Sequence, residues 1–314
     1  MMQIKEEYVH RGQSLPAVPS PPGRRITART FLAPLILMVL HHLVLNGISV
    51  ARTFTYLLSN PSVGAELQQN PLDSSLLMKI LVDSKAMTYA SLFGMLILIP
   101  AYLFYLYRRK KKQTSLIMRE RVSWGQTLSA LAVILGALGL TQFWMALLSL
   151  FDPASFLGQL FADYVDKMVF FDAGASTSVF DLLATVLLVP LGEELLFRGI
   201  IQGELRKSFS PAISVVATTV LFAVFHLDLI QGSYVLIAGL ALSLVYQLTR
   251  NLLMPIVMHM VFNLIGSGWL TRLTGAGQAA EAILVYSLYG FVLIGLGGLL
   301  ILRKADRKRD GSAV

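Results

Sequence analysis

The chain has 314 residues, 55% of them hydrophobic and 14% charged, with a mean hydropathy of +0.66. These values exclude an ordinary soluble domain and fit a multi-span membrane protein. The absence of cysteine excludes disulfides, thiolate metal ligands and a cysteine nucleophile, and a net charge of +8 is accounted for below by topology rather than by nucleic acid.

In chain order, a polar leader of some thirty residues comes first. The apolar run behind it lacks a small-residue cleavage pattern and therefore reads as a retained span rather than a signal peptide. Eight runs have about the length and hydrophobicity that a bilayer requires: 31–58, 88–107, 127–151, 178–205, 211–227, 233–248, 252–269 and 283–302. The expected fold is all-α, a polytopic membrane protein built as a bundle of about eight transmembrane helices. His41 and His42, in the first run, read as interhelical hydrogen-bonding or interface residues. Two connections, 60–85 and 152–177, are long. Leu72, Leu76, Ile80 and Asp83 in the first, and Phe156, Leu160, Tyr164 and Met168 in the second, recur near helical spacing, as in short amphipathic helices at a membrane surface. No internal repeat halves the chain, which argues against a transporter made of inverted copies.

Lysine and arginine placement sets the expected orientation, because cytoplasmic loops near span ends carry the positive excess. Of 26 such residues, twenty fall on one side of the bundle, in the leader, around 108–121, at Arg206, Lys207 and Arg250, and in the tail after Leu302. Only Lys79, Lys85, Lys167 and Arg272 fall on the other. Both termini are expected in the cytoplasm, with the protein in the cell membrane and the lipid bilayer as its first partner.

The chemistry-bearing residues concentrate between Glu193 and Asn263. Two adjacent carboxylates, Glu193 and Glu194, lie within the apolar stretch from Val186 to Arg198, where an ionised side chain costs several kcal/mol unless it is paired or hydrated. Three spacings recur on separate runs: Glu193-Glu194-x3-Arg198, Phe222-x3-His226 and His259-x3-Asn263. Residues four apart share a helix face, so Glu194 and Arg198 can pair while Glu193 points about 100° away. His259 and Asn263 are expected to project together. Counting about 1.5 Å per residue puts Glu193 roughly 20 Å from Arg206 and His226 roughly 22 Å from Pro211, but His259 only roughly 13 Å from Arg250. The seventh helix must therefore tilt or begin lower for the three to meet.

EExxxR, FxxxH and HxxxN, in this order on separate membrane helices, resemble the signatures of the CPBP family of intramembrane proteases, named for CAAX prenyl proteases and bacteriocin-processing enzymes and also called the Abi family. The resemblance covers about 176–270 and fills every signature position. It implies a chamber between the fourth, fifth and seventh helices, peptide-bond hydrolysis on a peptide or membrane-protein substrate, Glu193 as base and the His259/Asn263 pair as oxyanion donors. The expected divisions are the leader 1–30, N-terminal membrane helices with outer amphipathic loops 31–175, the CPBP/Abi-like core 176–270, and a last helix with a basic tail 271–314.

The residues support a mechanism of their own. A carboxylate in a low-dielectric chamber is a competent general base for water, His226 is placed to hold that water, and His259 with Asn263 offers two donors for an oxyanion. Arg198 keeps Glu194 ionised and fixed, or receives a substrate carboxylate. A rival uses zinc held by Glu193, His226 and His259, with Glu194 as base; the ligand types fit and the spacing does not decide. No H-E-x-x-H is present. Gly266-Ser267-Gly268 reads as helix termination rather than a nucleophile site. Two non-enzymatic classes remain beside the protease: a bacteriocin-immunity-type membrane protein that binds a peptide without cutting it, and an ion-coupled transporter.

Overall fold

The computed structural model describes residues 26–110, 120–173 and 178–311. Residues 1–25 of the expected leader, and Lys111 and Lys112 of the basic cluster at 108–112, lie outside the described residues. Every regular element among those described is helical. In order they are α1 (Ala28–Ser59), α2 (Pro61–Gln69), α3 (Ser74–Asp83), α4 (Ala86–Lys110), α5 (Trp124–Leu148), α6 (Phe156–Ala173), α7 (179–208), α8 (Pro211–Phe225), α9 (Leu229–Thr249), α10 (Leu253–Gly266), α11 (Trp269–Thr274) and α12 (Gln278–Gly311).

Five helices are long and apolar enough to cross a membrane: α1, α4, α5, α9 and α12. A sixth, α7, is a continuous helical run interrupted by two wider π-helical turns. The remaining two expected spans are shorter than the apolar pattern suggests. With 15 and 14 residues, α8 and α10 reach only about 22 Å and 21 Å, less than the roughly 30 Å of a hydrocarbon core. Each is stopped by backbone chemistry rather than by loss of hydrophobicity. Leu227 turns left-handed just beyond α8 (φ 54°), and Gly268 (φ 73°) ends the stretch after α10, as expected for the Gly266-Ser267-Gly268 segment.

Side chains sort by solvent. Leu43, Val50, Leu293 and Leu300 are all more than 60% exposed, a distribution that would be anomalous in water and is ordinary against lipid. Inside, one apolar cluster joins α4, α7, α8, α9 and α10, and a second joins α5, α9, α10 and α12, so α9 and α10 belong to both. Between α5 and α12 the backbones nearly touch: a Cβ on Gly136 would stand 2.8 Å from the Phe291 carbonyl oxygen, and one on Gly298 2.7 Å from that of Ser129. Small residues at membrane helix interfaces permit this approach and its dispersion gain.

Both long connections contain helices, in agreement with their periodicity, although the pattern overreaches at one position. Leu76 and Ile80 of α3 are buried, whereas Leu72 is 92% exposed in the turn before the helix. Asp73 caps α3 by accepting from the Ser75 and Leu76 amides, and the Ser75 hydroxyl together with those amides holds its carboxyl below the usual range. In α6, Tyr164 is buried and its hydroxyl meets that of Tyr234 on α9 at 3.0 Å. Lys167 of α6 pairs with Asp228, whose carboxylate also caps the N-terminus of α9.

Candidate functional site

The candidate site is built on the irregular part of α7. Pro190 has no N–H to donate, and the turn before it widens: the Val189 amide bonds to Ala184, five residues back. A short α-helical stretch, Val189–Glu194, carries both glutamates and is followed by a second π segment, Leu195–Gln202. Such widened turns recur at functional positions because they re-aim side chains without breaking the helix. Gly192 lets α4 approach closely, with the Met95 thioether lying where a Cβ would sit.

The two glutamates part as their angular offset requires. Glu194 is fully buried, and its Oε1 accepts both from Arg198 Nη1 at 2.7 Å and from His259 Nδ1 at 2.8 Å. Arg198, also fully buried, donates its Nη2 to the Gly239 carbonyl at 2.9 Å and lies 4.5 Å over the ring of Phe222. Phe222 is thus a wall of the site, its ring edge-on to His226 and His259 at 5.0 and 5.8 Å. Glu193 keeps 8% of its surface exposed and turns toward the other side of His259, with its Oε2 3.8 Å from Nε2. That gap suits a water-bridged contact rather than a direct hydrogen bond.

The partners fix the imidazole tautomers. His259 Nδ1 faces a carboxylate acceptor, so Nδ1 carries the hydrogen and Nε2 is presented to Glu193. His226, at the C-terminal end of α8, has its Nδ1 2.8 Å from the Phe222 carbonyl, and by the same logic donates there and leaves Nε2 outward. A carboxylate behind an imidazole, itself held by an arginine, is the arrangement that orients histidines in acid–base sites.

Four of the six expected residues, Glu193, Glu194, Arg198 and His259, therefore converge within contact distances, and His226 joins them through Phe222. The shallow depth counted for His259 does not keep it away. Its helix begins at Leu253, after a left-handed Arg250 (φ 53°) and with Asn251 Oδ1 capping the Leu253 amide at 2.9 Å. Asn263 differs from expectation. It shares a helix with His259, but its Nδ2 donates to the Thr185 carbonyl at 2.9 Å, while His259 faces the glutamates. The reason lies in α7: widening of the Leu183–Leu188 segment exposes a main-chain carbonyl that a regular α-helix would use internally.

The spacing did not reveal what α1 contributes. His41 meets the expectation of an interhelical hydrogen bond, its Nδ1 3.0 Å from the hydroxyl of the buried Tyr102 on α4. His42 goes further: its ring packs 4.2 Å from that of Phe225, next to His226, and it stands within electrostatic reach of both Glu193 and His226. The signal was its depth, about 17 Å into the first apolar run, where an imidazole is costly without a polar neighbour.

Among the described residues, no group of three or more His, Asp or Glu side chains is arranged to hold a metal ion. The set considered for zinc is already partly engaged, His259 Nδ1 by Glu194 and His226 Nδ1 by Phe222.

Fold and site together define a polytopic helical membrane protein with a buried carboxylate–arginine–histidine centre. Residues 175–265 match the family model described as type II CAAX prenyl endopeptidase, Rce1-like, so the chain carries a Rce1-like domain, in agreement with its CPBP resemblance. The matched stretch takes in α7, α8, α9 and nearly all of α10, and with them the six site residues expected from the sequence, though not His42. No curated protein and no solved structure matches the chain.

Proposed function

We propose that this protein is an intramembrane endopeptidase in which Glu193 activates water. The observation that carries the proposal is the opposed pair of Glu193 Oε2 and His259 Nε2, 3.8 Å apart, with the imidazole anchored from behind by the buried Glu194–Arg198 ion pair. A water between them donates one hydrogen to Glu193 and the other to His259 Nε2. As Glu193 takes its proton, the oxygen attacks a peptide carbonyl, and the same carboxyl then returns the proton to the leaving nitrogen. The oxyanion needs donors. Asn263 supplies one once substrate displaces the Thr185 carbonyl from its amide. Arg198 and Glu194 position the imidazole and do not touch substrate.

The Rce1-like match supports a protease acting within the bilayer. The substrate class that follows is a peptide or a membrane protein, and prenylated C-terminal peptides, the class in the family's description, are the first to test. The carboxylate, rather than zinc, is the activator in this reading. Purified protein is expected to carry far less than one zinc per chain and to keep cleaving after chelation; stoichiometric zinc whose removal abolishes cleavage overturns it.

The decisive experiment compares new peptide termini in membranes of cells producing the wild-type chain or Glu193→Ala at equal levels. Termini present only with the wild type are expected. Their absence, with retained binding of a prenylated peptide by both proteins, favours the non-cleaving peptide-binding reading.

A further inference from the structure

The Glu194–Arg198 pair is not the end of the buried polar surface on α7. Gln202, one turn further, is fully buried; its Nε2 donates to the Ser243 carbonyl at 3.2 Å while its Oε1 has no partner. Three more fully buried side chains also lack a partner for their oxygens: Thr218 on α8, and Ser243 and Tyr246 on α9.

These orphans share a place because three helices descend in step. Arg198 marks one level, over the Phe222 ring of α8 and bonded to the Gly239 carbonyl of α9. A Cβ on Gly239 would stand 3.0 Å from Phe222 and 3.7 Å from Arg198, so the level is closed. Four residues forward on α7, four back on the antiparallel α8 and four forward on α9 lead to Gln202, Thr218 and Ser243, the second level. Tyr246, three residues on from Ser243, lies on the same α9 face and within electrostatic reach of Arg206, four residues beyond Gln202.

The chemistry of that level is specific. Three hydroxyls and an amide carbonyl face an interior from which lipid and bulk water are excluded, and an unmade hydrogen bond there costs about 1–3 kcal/mol per group. A serine in a helix usually donates to the carbonyl four residues back; for Ser243 that carbonyl is Gly239, which Arg198 occupies. One ligand both donates and accepts, fits between helices and takes two to four polar partners, namely water.

We propose that Gln202, Thr218, Ser243 and Tyr246 form an internal hydration site, one helical turn beyond Arg198, that holds ordered water. The waters complete the hydrogen bonds of the second level and hydrate the side of the ion pair that faces away from Glu193. As an extension resting on the proposed protease function, they keep hydrolytic water within reach of the site without passage through lipid.

Radiolytic hydroxyl-radical labelling of the full-length chain in lipid nanodiscs tests the proposal, because radicals generated from bound water oxidise the side chains beside it. Tyr246, despite 0% exposure, is expected to label at least fivefold faster than Met258, which is 1% exposed within an apolar cluster. Thr218→Val, which is isosteric, with Ser243→Ala, which loses one oxygen atom, removes two hydroxyls and is expected to reduce Tyr246 labelling at least threefold. Glu193→Ala leaves it unchanged, which separates this proposal from the one about cleavage. Wild-type Tyr246 labelling no faster than Met258 overturns the proposal whether or not the double variant folds, and labelling that survives in a folded double variant overturns it as well.

Discussion

At Glu193 and Glu194, two residues of identical chemistry take opposite parts because one helical step rotates the second by about 100°. Glu194 is sealed against Arg198 and His259, and Glu193 keeps a small opening. The expected consequences separate. Glu193→Ala removes the proposed base, a side chain that binds little of the framework, so the proposal predicts that cleavage falls by about 10²–10⁴-fold with thermal stability nearly unchanged. Arg198→Ala strands a buried carboxylate, which costs about 3–5 kcal/mol, so the variant shows a lowered unfolding temperature as well as lost cleavage. Thermal unfolding in detergent beside a cleavage assay checks both, and an Arg198→Ala protein as stable as wild type contradicts the ion-pair account. Arg198→Lys is not a mild change, since a single ammonium cannot hold Glu194, the Gly239 carbonyl and the Phe222 face together.

Among the elements, α7 carries the largest departure from ideal geometry and also the candidate chemistry. Pro190→Ala restores a main-chain donor and allows the preceding turn to tighten, rotating the glutamate pair relative to α10. The expected outcome is an unchanged or raised unfolding temperature with cleavage reduced about a hundredfold, the penalty typical of an ångström-scale misplacement. Undiminished cleavage would detach the π turns from the reaction. The α5–α12 contact behaves in the opposite way. Gly139→Leu places a side chain against the Leu288 backbone, where nothing flexible can yield, and is expected to cost about 1–3 kcal/mol of stability, read as a fall in unfolding temperature.

For the whole molecule, the helices sort into a frame and a site. Long helices α1, α4, α5, α9 and α12 give the bundle its reach, while α8 and α10, too short to span alone, pack against α7 and α9 and bring His259 to the glutamates and His226 to the Phe222 wall. The lysine and arginine asymmetry predicts that tags on both termini react with impermeant reagents only from the cytoplasmic side of sealed vesicles. Labelling of either terminus from the opposite side would invert the topology.

Much of this was written in one dimension. Apolar runs gave the helical bundle, and i,i+4 spacing gave the Glu194–Arg198 pair, because both depend only on rise and rotation along a single helix. The same arithmetic failed where the chain leaves the ideal helix: it made α8 and α10 too long, left His259 too shallow and did not show the bond from Asn263 to the Thr185 carbonyl. For His42 the sequence indicated an interface residue but not its partner, since nothing in the first apolar run specifies that it will face Phe225, far along the chain. The sequence by itself thus determined the class, the helices and the residues with chemistry to offer. Only the tertiary structure decided which of them meet, because convergence is set by where helices end, tilt and widen, and those are consequences of packing between segments far apart in the chain.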